Sequence, residues 1–286
     1  MRGIACCILA VVLSDMATAT QGEPTTPQTV DIPSGKLRLK AYLWTPSGSG
    51  PFPAVLFNHG RSDTAQQHWQ KEKMTLRAAA EVLGPVFAAH GYVFLFPFRR
   101  GEGLSADQGR FIGDQLQQEE SVHGVDARMH LQATLLTTDQ LEDGLAGLTF
   151  LKSLRQVDAH RIALVGHSFG GQLTLLEAQR DSSVRAAVTF GAAAGSWDRS
   201  EELRARTLDA ADKVAVPVLL LHAANDYSVT PGKAIAAEFA RLSKPCILRI
   251  YPPVGQSASD GHNFLYTNVP LWENDVFEFL DQHTRR

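Results

Sequence analysis

A serine with glycine two positions away on each side stands near the middle of the chain, in the segment Gly-His-Ser-Phe-Gly at 166–170. The apolar run 162–165 predicts a strand before it, and the apolar spacing of 172–179 predicts a helix after it. A serine on such a sharp turn is a nucleophile elbow, and glycines beside it prevent collisions with the strained turn. The five-residue pattern alone arises by chance in about one chain in ten of this length. Its place between a strand and a helix nevertheless predicts Ser168 as a nucleophile.

The acid and the base that a serine nucleophile needs both follow it in the chain. Asp226 comes shortly after the apolar run 218–221, and His262 comes after the predicted strand 247–251. A carboxylate can orient an imidazole and stabilise its cation, while the imidazole takes the serine proton and returns it to the leaving group. The alternative for Asp226 is an ordinary turn or helix-capping role. Most of the other histidines fall at the ends of predicted elements, so His262 is the predicted base.

Strands and helices alternate along most of the chain, and this alternation predicts the elements that must position the three side chains. The polar and apolar alternation of 36–44 predicts a half-buried strand near an antiparallel edge. Later short apolar runs predict strands covered on both faces. The predicted fold class is therefore α/β, with a mostly parallel central sheet, helices on both faces and antiparallel strands at the N-terminal side.

Two segments do not fit this alternation. The segment 106–132 is polar, rich in Gln and Glu and interrupted by three glycines. It is predicted either as an excursion over the active site at the carboxyl edge of the sheet, where functional loops gather, or as a plain surface loop. The segment 196–213 is a second candidate for such an excursion, as a charged, helix-like piece between two strands.

With these residues in place, the chain from about residue 30 to its C-terminus resembles the α/β-hydrolase superfamily, whose chain order is also serine, acid, histidine. The loops around His59-Gly60 and at 100–105, the serine turn and the segment 225–229 look most like the dienelactone hydrolase-related branch. Dienelactone hydrolase itself carries a cysteine nucleophile, whereas residue 168 is serine. The resemblance therefore implies a serine hydrolase of general carboxylic esters rather than of dienelactones.

The same resemblance implies an oxyanion hole built from two backbone N–H groups. One belongs to Phe169, just after the nucleophile, and the other to Arg61, with Ser62 as the alternative if the loop is shifted. Two such donors stabilise the negative charge that develops on the carbonyl oxygen. The expected pocket side chains are His59, His167, Phe98, Trp197 and Phe264, with Trp69 as a further aromatic candidate.

Composition excludes several other classes of function. The formal net charge is −3 and the basic residues are dispersed, which argues against a nucleic-acid surface. No His or Cys pair stands at metal-ligand spacing, so neither a metal nor a cofactor is predicted. Gly101, Gly103 and Ala106 match a dinucleotide-binding pattern only superficially, because a polar, glycine-broken stretch follows where that pattern requires a packed helix.

The N-terminus has the pattern of a secretory signal. Arg2 is followed by the apolar stretch 4–13 and by small residues at 17–19, and this order predicts a signal peptide over 1–19. The alternative is an uncleaved anchor. An extended lead-in is then predicted over 20–29 and one hydrolase domain over 30–286. We expect a secreted or periplasmic protein without stable membrane association after cleavage, and Cys246 as its only cysteine, a buried structural thiol.

Two other functions compete with an esterase. A peptidase resembling the prolyl oligopeptidases would use the same triad on short peptides, and Glu119-Glu120 would then be candidates for binding a substrate amine. A non-catalytic binding protein on the same fold is also conceivable, but loss of a triad residue would be expected there. The sequence does not predict the oligomeric state.

Overall fold

The computed structural model describes residues 26–61 and 74–285, together with the backbone of 68 and 69. The predicted signal peptide over 1–19, Ser62 and the side chain of Trp69 lie outside the described residues. Among the helices described, none is long and apolar enough to cross a membrane.

The described part of the chain alternates strands and helices, as the sequence predicts. The strands are β1 Gln28–Ser34, β2 Leu37–Trp44, β3 Phe52–Asn58, β4 His68–Trp69, β5 Met74–Thr75, β6 Val93–Pro97, β7 Val157–His167, β8 Ala186–Phe190, β9 Val218–Ala223 and β10 Cys246–Tyr251. The helices are α1 Leu76–Ala89, α2 Ile112–Thr137, α3 Asp139–Ser153, α4 Phe169–Arg180, α5 Glu201–Lys213, α6 Thr230–Arg241, α7 Ala258–His262, α8 Phe264–Thr267 and α9 Val269–Thr284.

One eight-stranded sheet forms the centre of the fold, with the strand order β1-β2-β6-β3-β7-β8-β9-β10. The pairs β1/β2 and β2/β6 are antiparallel. The pairs from β6 to β10 are parallel. This confirms the predicted mostly parallel sheet with antiparallel strands at its N-terminal side.

Each face of the sheet has its own apolar core, because side chains alternate between the two faces along a strand. On β3, Ala54 and Leu56 pack into the core beneath α2 to α6, whereas Val55 and Phe57 pack into an aromatic-rich core beneath α1, α8 and α9. Both faces are therefore covered by helices, as the continuous apolar runs indicate.

Three details differ from the sequence-based expectations. The strand β1 begins at Gln28, inside the predicted lead-in, and pairs with β2 over its whole length. The segment 106–132 is not a loop, because most of it lies in α2, with a break at Gly124 (φ 87°, ψ −179°). Cys246 is only half-buried, since β10 is the edge strand and exposes Ile247 and Ile250. Partial burial raises the pKa of the Cys246 thiol to about 12.

Candidate active site

Ser168 occupies a sharp turn between β7 and α4. Its backbone has φ 56° and ψ −116°, a conformation that a residue with a side chain adopts only when its surroundings enforce it. The backbone packs tightly here: a Cβ at position 166 would lie 2.3 Å from the carbonyl oxygen of Gly170, and a Cβ at position 170 would lie 2.0 Å from that of Asn58. Both glycines are therefore required by space, as the sequence pattern predicts.

The structure brings Ser168, His262 and Asp226 together at the carboxyl edge of the parallel strands. His262 Nε2 lies 2.9 Å from Ser168 Oγ, and His262 Nδ1 lies 2.6 Å from Asp226 Oδ1. These two contacts place an ionised carboxylate, an imidazole and a hydroxyl in one hydrogen-bonded series. Chemically, the series can move the hydroxyl proton to His262 Nε2 while the carboxylate stabilises the imidazolium.

Asp226 is buried in an environment that keeps it ionised. Burial alone would raise its pKa, but hydrogen bonds from His222 and His262 outweigh that effect and lower the pKa to about 2. The donor on the second oxygen is His222, whose Nδ1 lies 2.9 Å from Asp226 Oδ2. The backbone N–H of Tyr227 also donates to Oδ1, at 2.7 Å. The carboxylate therefore receives a donor on each of its oxygens.

His167 supports the backbone of His262, the predicted base. Its Nε2–H donates to the carbonyl oxygen of His262 at 3.0 Å, and the hydroxyl of Tyr266 lies 3.3 Å from its Nδ1. Burial, reinforced by the nearby His262, lowers the pKa of His167 to about 3. His167 is therefore neutral, and it ties α7 to the end of β7.

The loop after β3 carries the predicted oxyanion-hole residue Arg61, and buried Arg99 holds this loop. Arg99 Nη1 donates to the carbonyl oxygen of His59 at 2.9 Å, and its Nη2 donates to that of Gly60 at 3.3 Å. Arg61 and Phe169 both line the same cavity as Ser168. The two predicted N–H donors thus lie on the two segments that flank the nucleophile.

A cavity of about 310 Å³ opens above Ser168. Its walls come from the loop after β3, from α2, from the turn after β8 and from the segments that carry the acid and the base. Three arginines, Arg61, Arg128 and Arg199, line it, and no acidic side chain does so among the described lining residues. The Tyr227 ring is half exposed, and its centroid lies 4.6 Å from that of the His262 ring. The lining is consequently polar and carries positive charge at Arg61 and Arg199, whereas Arg128 is paired with Glu120 at 2.9 Å.

Of the five predicted pocket side chains, His167 lines the cavity and the other four do not. His59 is fully buried and stacks on Phe96. Phe98 and Phe264 belong to the aromatic core beneath α1, α8 and α9. Trp197 is buried. These four predictions are wrong because nearness in the chain to the predicted catalytic residues does not reveal whether a side chain enters the cavity or the protein interior.

Sequence reasoning missed five residues of this site: His222, Arg99, Arg128, Arg199 and Tyr227. Two of them carried a usable signal. Arg99 is a charged residue two positions after the end of the buried strand β6, and His222 is a polar residue within the otherwise apolar strand β9. A polar side chain at such a place requires a partner. No comparable signal marks Arg128, because it is one of many polar residues in α2.

The described residues show the surroundings of the acidic side chains that could bind a metal ion or an amine. Within the described residues, no group of three or more His, Cys, Asp or Glu could hold a metal ion. The two glutamates predicted to bind a substrate amine already have partners. Glu119 contacts His123 at 2.8 Å, and Glu120 contacts Arg128 at 2.9 Å.

Comparison with known proteins gives a consistent family. The model of the dienelactone hydrolase family matches residues 39–269. A relative from Acinetobacter baumannii, the quorum-quenching protein AidA, is 27% identical over 174 residues, which are 61% of this chain and 46% of that protein. The chain thus spans less than half the length of this relative.

Solved structures share the fold at low identity. A dienelactone hydrolase from Klebsiella pneumoniae, described as putative, is 18% identical with a TM-score of 0.62, covering 91% of this chain and 98% of its own. Est1E from Butyrivibrio proteoclasticus, solved with ferulic acid, is 19% identical with a TM-score of 0.62, covering 90% and 100%. The acylaminoacyl peptidase of Pyrococcus horikoshii is 18% identical with a TM-score of 0.61, covering 90% of this chain but 41% of its own.

The family model covers most of the chain, and the structural neighbours share its mixed, mostly parallel sheet. The family model supports the prediction of a hydrolase, and the structural neighbours show the fold. The chain belongs to the dienelactone hydrolase family.

Proposed function

We propose that this protein is an exported serine hydrolase that cleaves carboxylic esters through Ser168, His262 and Asp226. The observation that carries the proposal is the continuous series of hydrogen bonds from Ser168 Oγ through His262 to Asp226. The series ends in a cavity of about 310 Å³, which suits a small ester.

The proposed reaction has two halves. Ser168 Oγ attacks the ester carbonyl carbon while His262 Nε2 takes its proton, and the tetrahedral oxyanion is held by the N–H groups of Phe169 and Arg61. His262 then gives the proton to the leaving alkoxide, and an acyl-enzyme remains. A water molecule, deprotonated by His262, attacks the acyl-enzyme carbonyl. The tetrahedral intermediate then collapses, the carboxylic acid leaves, and His262 returns the proton to Ser168 Oγ.

The residues that line the cavity favour an ester over a peptide with a free amino terminus. A peptidase that recognises a free amino terminus needs an acidic partner, whereas the described lining residues include three arginines and no carboxylate. Glu120, the nearest candidate by sequence, is paired with Arg128. The peptidase remains the second candidate because acylaminoacyl peptidases are among the structural neighbours.

A direct assay separates these functions. Wild type and Ser168→Ala are compared on p-nitrophenyl acetate and butyrate, on methyl ferulate and on an aminoacyl-naphthylamide. We expect Ser168-dependent hydrolysis of the esters and little release of naphthylamine. Equal rates in wild type and Ser168→Ala would refute the proposal that the protein is a serine hydrolase. Faster cleavage of the naphthylamide than of the esters would favour the peptidase.

Export is a separate part of the proposal, supported by the charge, apolar stretch and small residues of 1–19. Expression of the whole chain followed by N-terminal sequencing of the secreted or periplasmic product should give a mature start near Thr20. A product that retains Met1 and stays with the membrane would refute cleavage and favour the anchor.

A further inference from the structure

We infer that His222 is a positioning residue for the reaction: its Nδ1–H fixes Asp226 Oδ2, so that Oδ1 stays directed at His262. The inference rests on the proposed function, because it assigns a role within the same series of hydrogen bonds. It extends that series by one residue on the side away from the substrate.

The direction of the hydrogen bond follows from the chemistry of the two groups. Asp226 Oδ2 and His222 Nδ1 lie 2.9 Å apart, and the side chains are 0% and 1% exposed. An ionised carboxylate only accepts hydrogen bonds, so the imidazole must carry its proton on Nδ1. Oδ1 is occupied by His262 Nδ1 and by the N–H of Tyr227. His222 is thus the hydrogen-bond donor to the second oxygen of the Asp226 carboxylate.

The other nitrogen of His222 shows that packing alone does not explain this residue. Nε2 is buried and has no hydrogen-bond partner within the described part of the chain. A Cβ on Gly232, in α6, would lie 2.7 Å from it. An unpaired buried nitrogen costs free energy that an apolar side chain of similar size would avoid. The hydrogen bond to Asp226 supplies a reason for an imidazole at this position.

The consequence for catalysis lies in the orientation of the carboxylate. A carboxylate held at one oxygen only can turn about its terminal torsion, which has a broad preference. During the reaction His262 becomes an imidazolium, and its stabilisation depends on Oδ1 remaining in line with Nδ1. His222 does not line the cavity, so it affects the barrier without contacting the substrate.

A pair of substitutions tests this role. His222→Leu removes the donor and keeps an apolar group of similar size, whereas His222→Asn places an amide N–H near the position of Nδ1. Both are assayed on p-nitrophenyl butyrate beside wild type and Ser168→Ala, with circular dichroism and thermal unfolding as checks of folding.

Loss of a hydrogen bond to a charged group corresponds to a fall in kcat of about 10- to 100-fold for His222→Leu. We expect KM to stay within about twofold, because no substrate contact is removed. His222→Asn should recover most of the lost kcat. If the leucine variant does not fold, His222→Gln replaces it, since its amide lies too far along the side chain to reach Asp226.

Three results would overturn the inference while the wild type remains active. They are an unchanged kcat in folded His222→Leu or His222→Gln, an asparagine variant as impaired as the leucine variant, and a loss that falls mainly on KM. A wild type without Ser168-dependent turnover would instead refute the proposed function, so the two failures are distinguishable.

Discussion

A methyl group added at Gly191 should disturb the hydrogen bonds of the proposed triad without replacing any of its three residues. Gly191 follows β8 with φ 57°, and its N–H donates to the carbonyl oxygen of Leu221 at 2.8 Å. A Cβ at this position would lie 3.0 Å from Asp226 Oδ2 and 3.0 Å from both Cε1 and Nδ1 of His262. The substitution Gly191→Ala therefore presses on the acid and the base at once.

The magnitude follows from these distances. Ordinary contact with a Cβ begins near 3.4 Å, so Asp226 and His262 must shift by a few tenths of an ångström. Since a misplacement of about 1 Å costs about 100-fold in rate, we expect kcat/KM to fall about tenfold. The left-handed backbone adds a loss in stability of about 1–2 kcal/mol.

The hairpin between β1 and β2 offers a matched control. Gly35 has φ 56°, and a Cβ there would meet no atom within 4 Å. Gly35→Ala should therefore lose about the same 1–2 kcal/mol of stability and keep its activity. Urea unfolding gives the stability of each variant, and p-nitrophenyl butyrate hydrolysis gives kcat/KM. Unchanged kcat/KM in Gly191→Ala, or an equal fall in both variants, would refute the steric reasoning.

Three further predictions concern the base, its support and the cavity. His262→Ala should reduce kcat by several orders of magnitude and leave the circular dichroism spectrum unchanged; near-normal turnover would place the base elsewhere. The pKa of His167 falls from 6.5 to about 3 on folding. Between pH 6.5 and pH 3 the unfolded chain therefore carries one more proton at His167 than the folded protein, so the free energy of unfolding decreases as the pH falls through this range. In urea titrations over this range, His167→Gln should remove a slope of about 1.4 kcal/mol per pH unit, and an unchanged slope would contradict a buried neutral imidazole. Finally, Arg199→Gln should lower kcat/KM for mono-p-nitrophenyl succinate about threefold and leave that for p-nitrophenyl butyrate unchanged; equal effects on both esters would refute a role for the arginine charge.

The parts of the fold that depend on local pattern were predictable. The apolar runs that became β3, β6, β7 and β9 are buried on both faces, so their composition alone indicates a parallel sheet. The placement of Ser168, Asp226 and His262 at one edge then follows, because each comes after a strand and parallel strands end at the same side. That these three residues perform catalysis stays a prediction.

The parts that depend on the third dimension were not predictable. The helix α2 has only seven buried residues among its 26 and a glycine break, so its apolar periodicity is too weak to mark it. Phe98 and Phe264 are aromatic residues close in sequence to catalytic segments, yet the sheet directs them into a core. The partner of His222 is equally hidden, since the sequence does not show which polar group faces a buried histidine.

The two sides of the cavity come from separate stretches of chain. The predicted nucleophile, acid and base follow β7, β9 and β10, whereas Arg128, Met129 and Gln132 of α2 form another part of the wall. Substitutions in that helix can alter which molecules enter while the register of the strands, and with it the reacting atoms, stays as it is. Substrate selectivity in such a protein can therefore change while the reaction stays the same, and α2 is the segment to exchange when a different substrate preference is wanted.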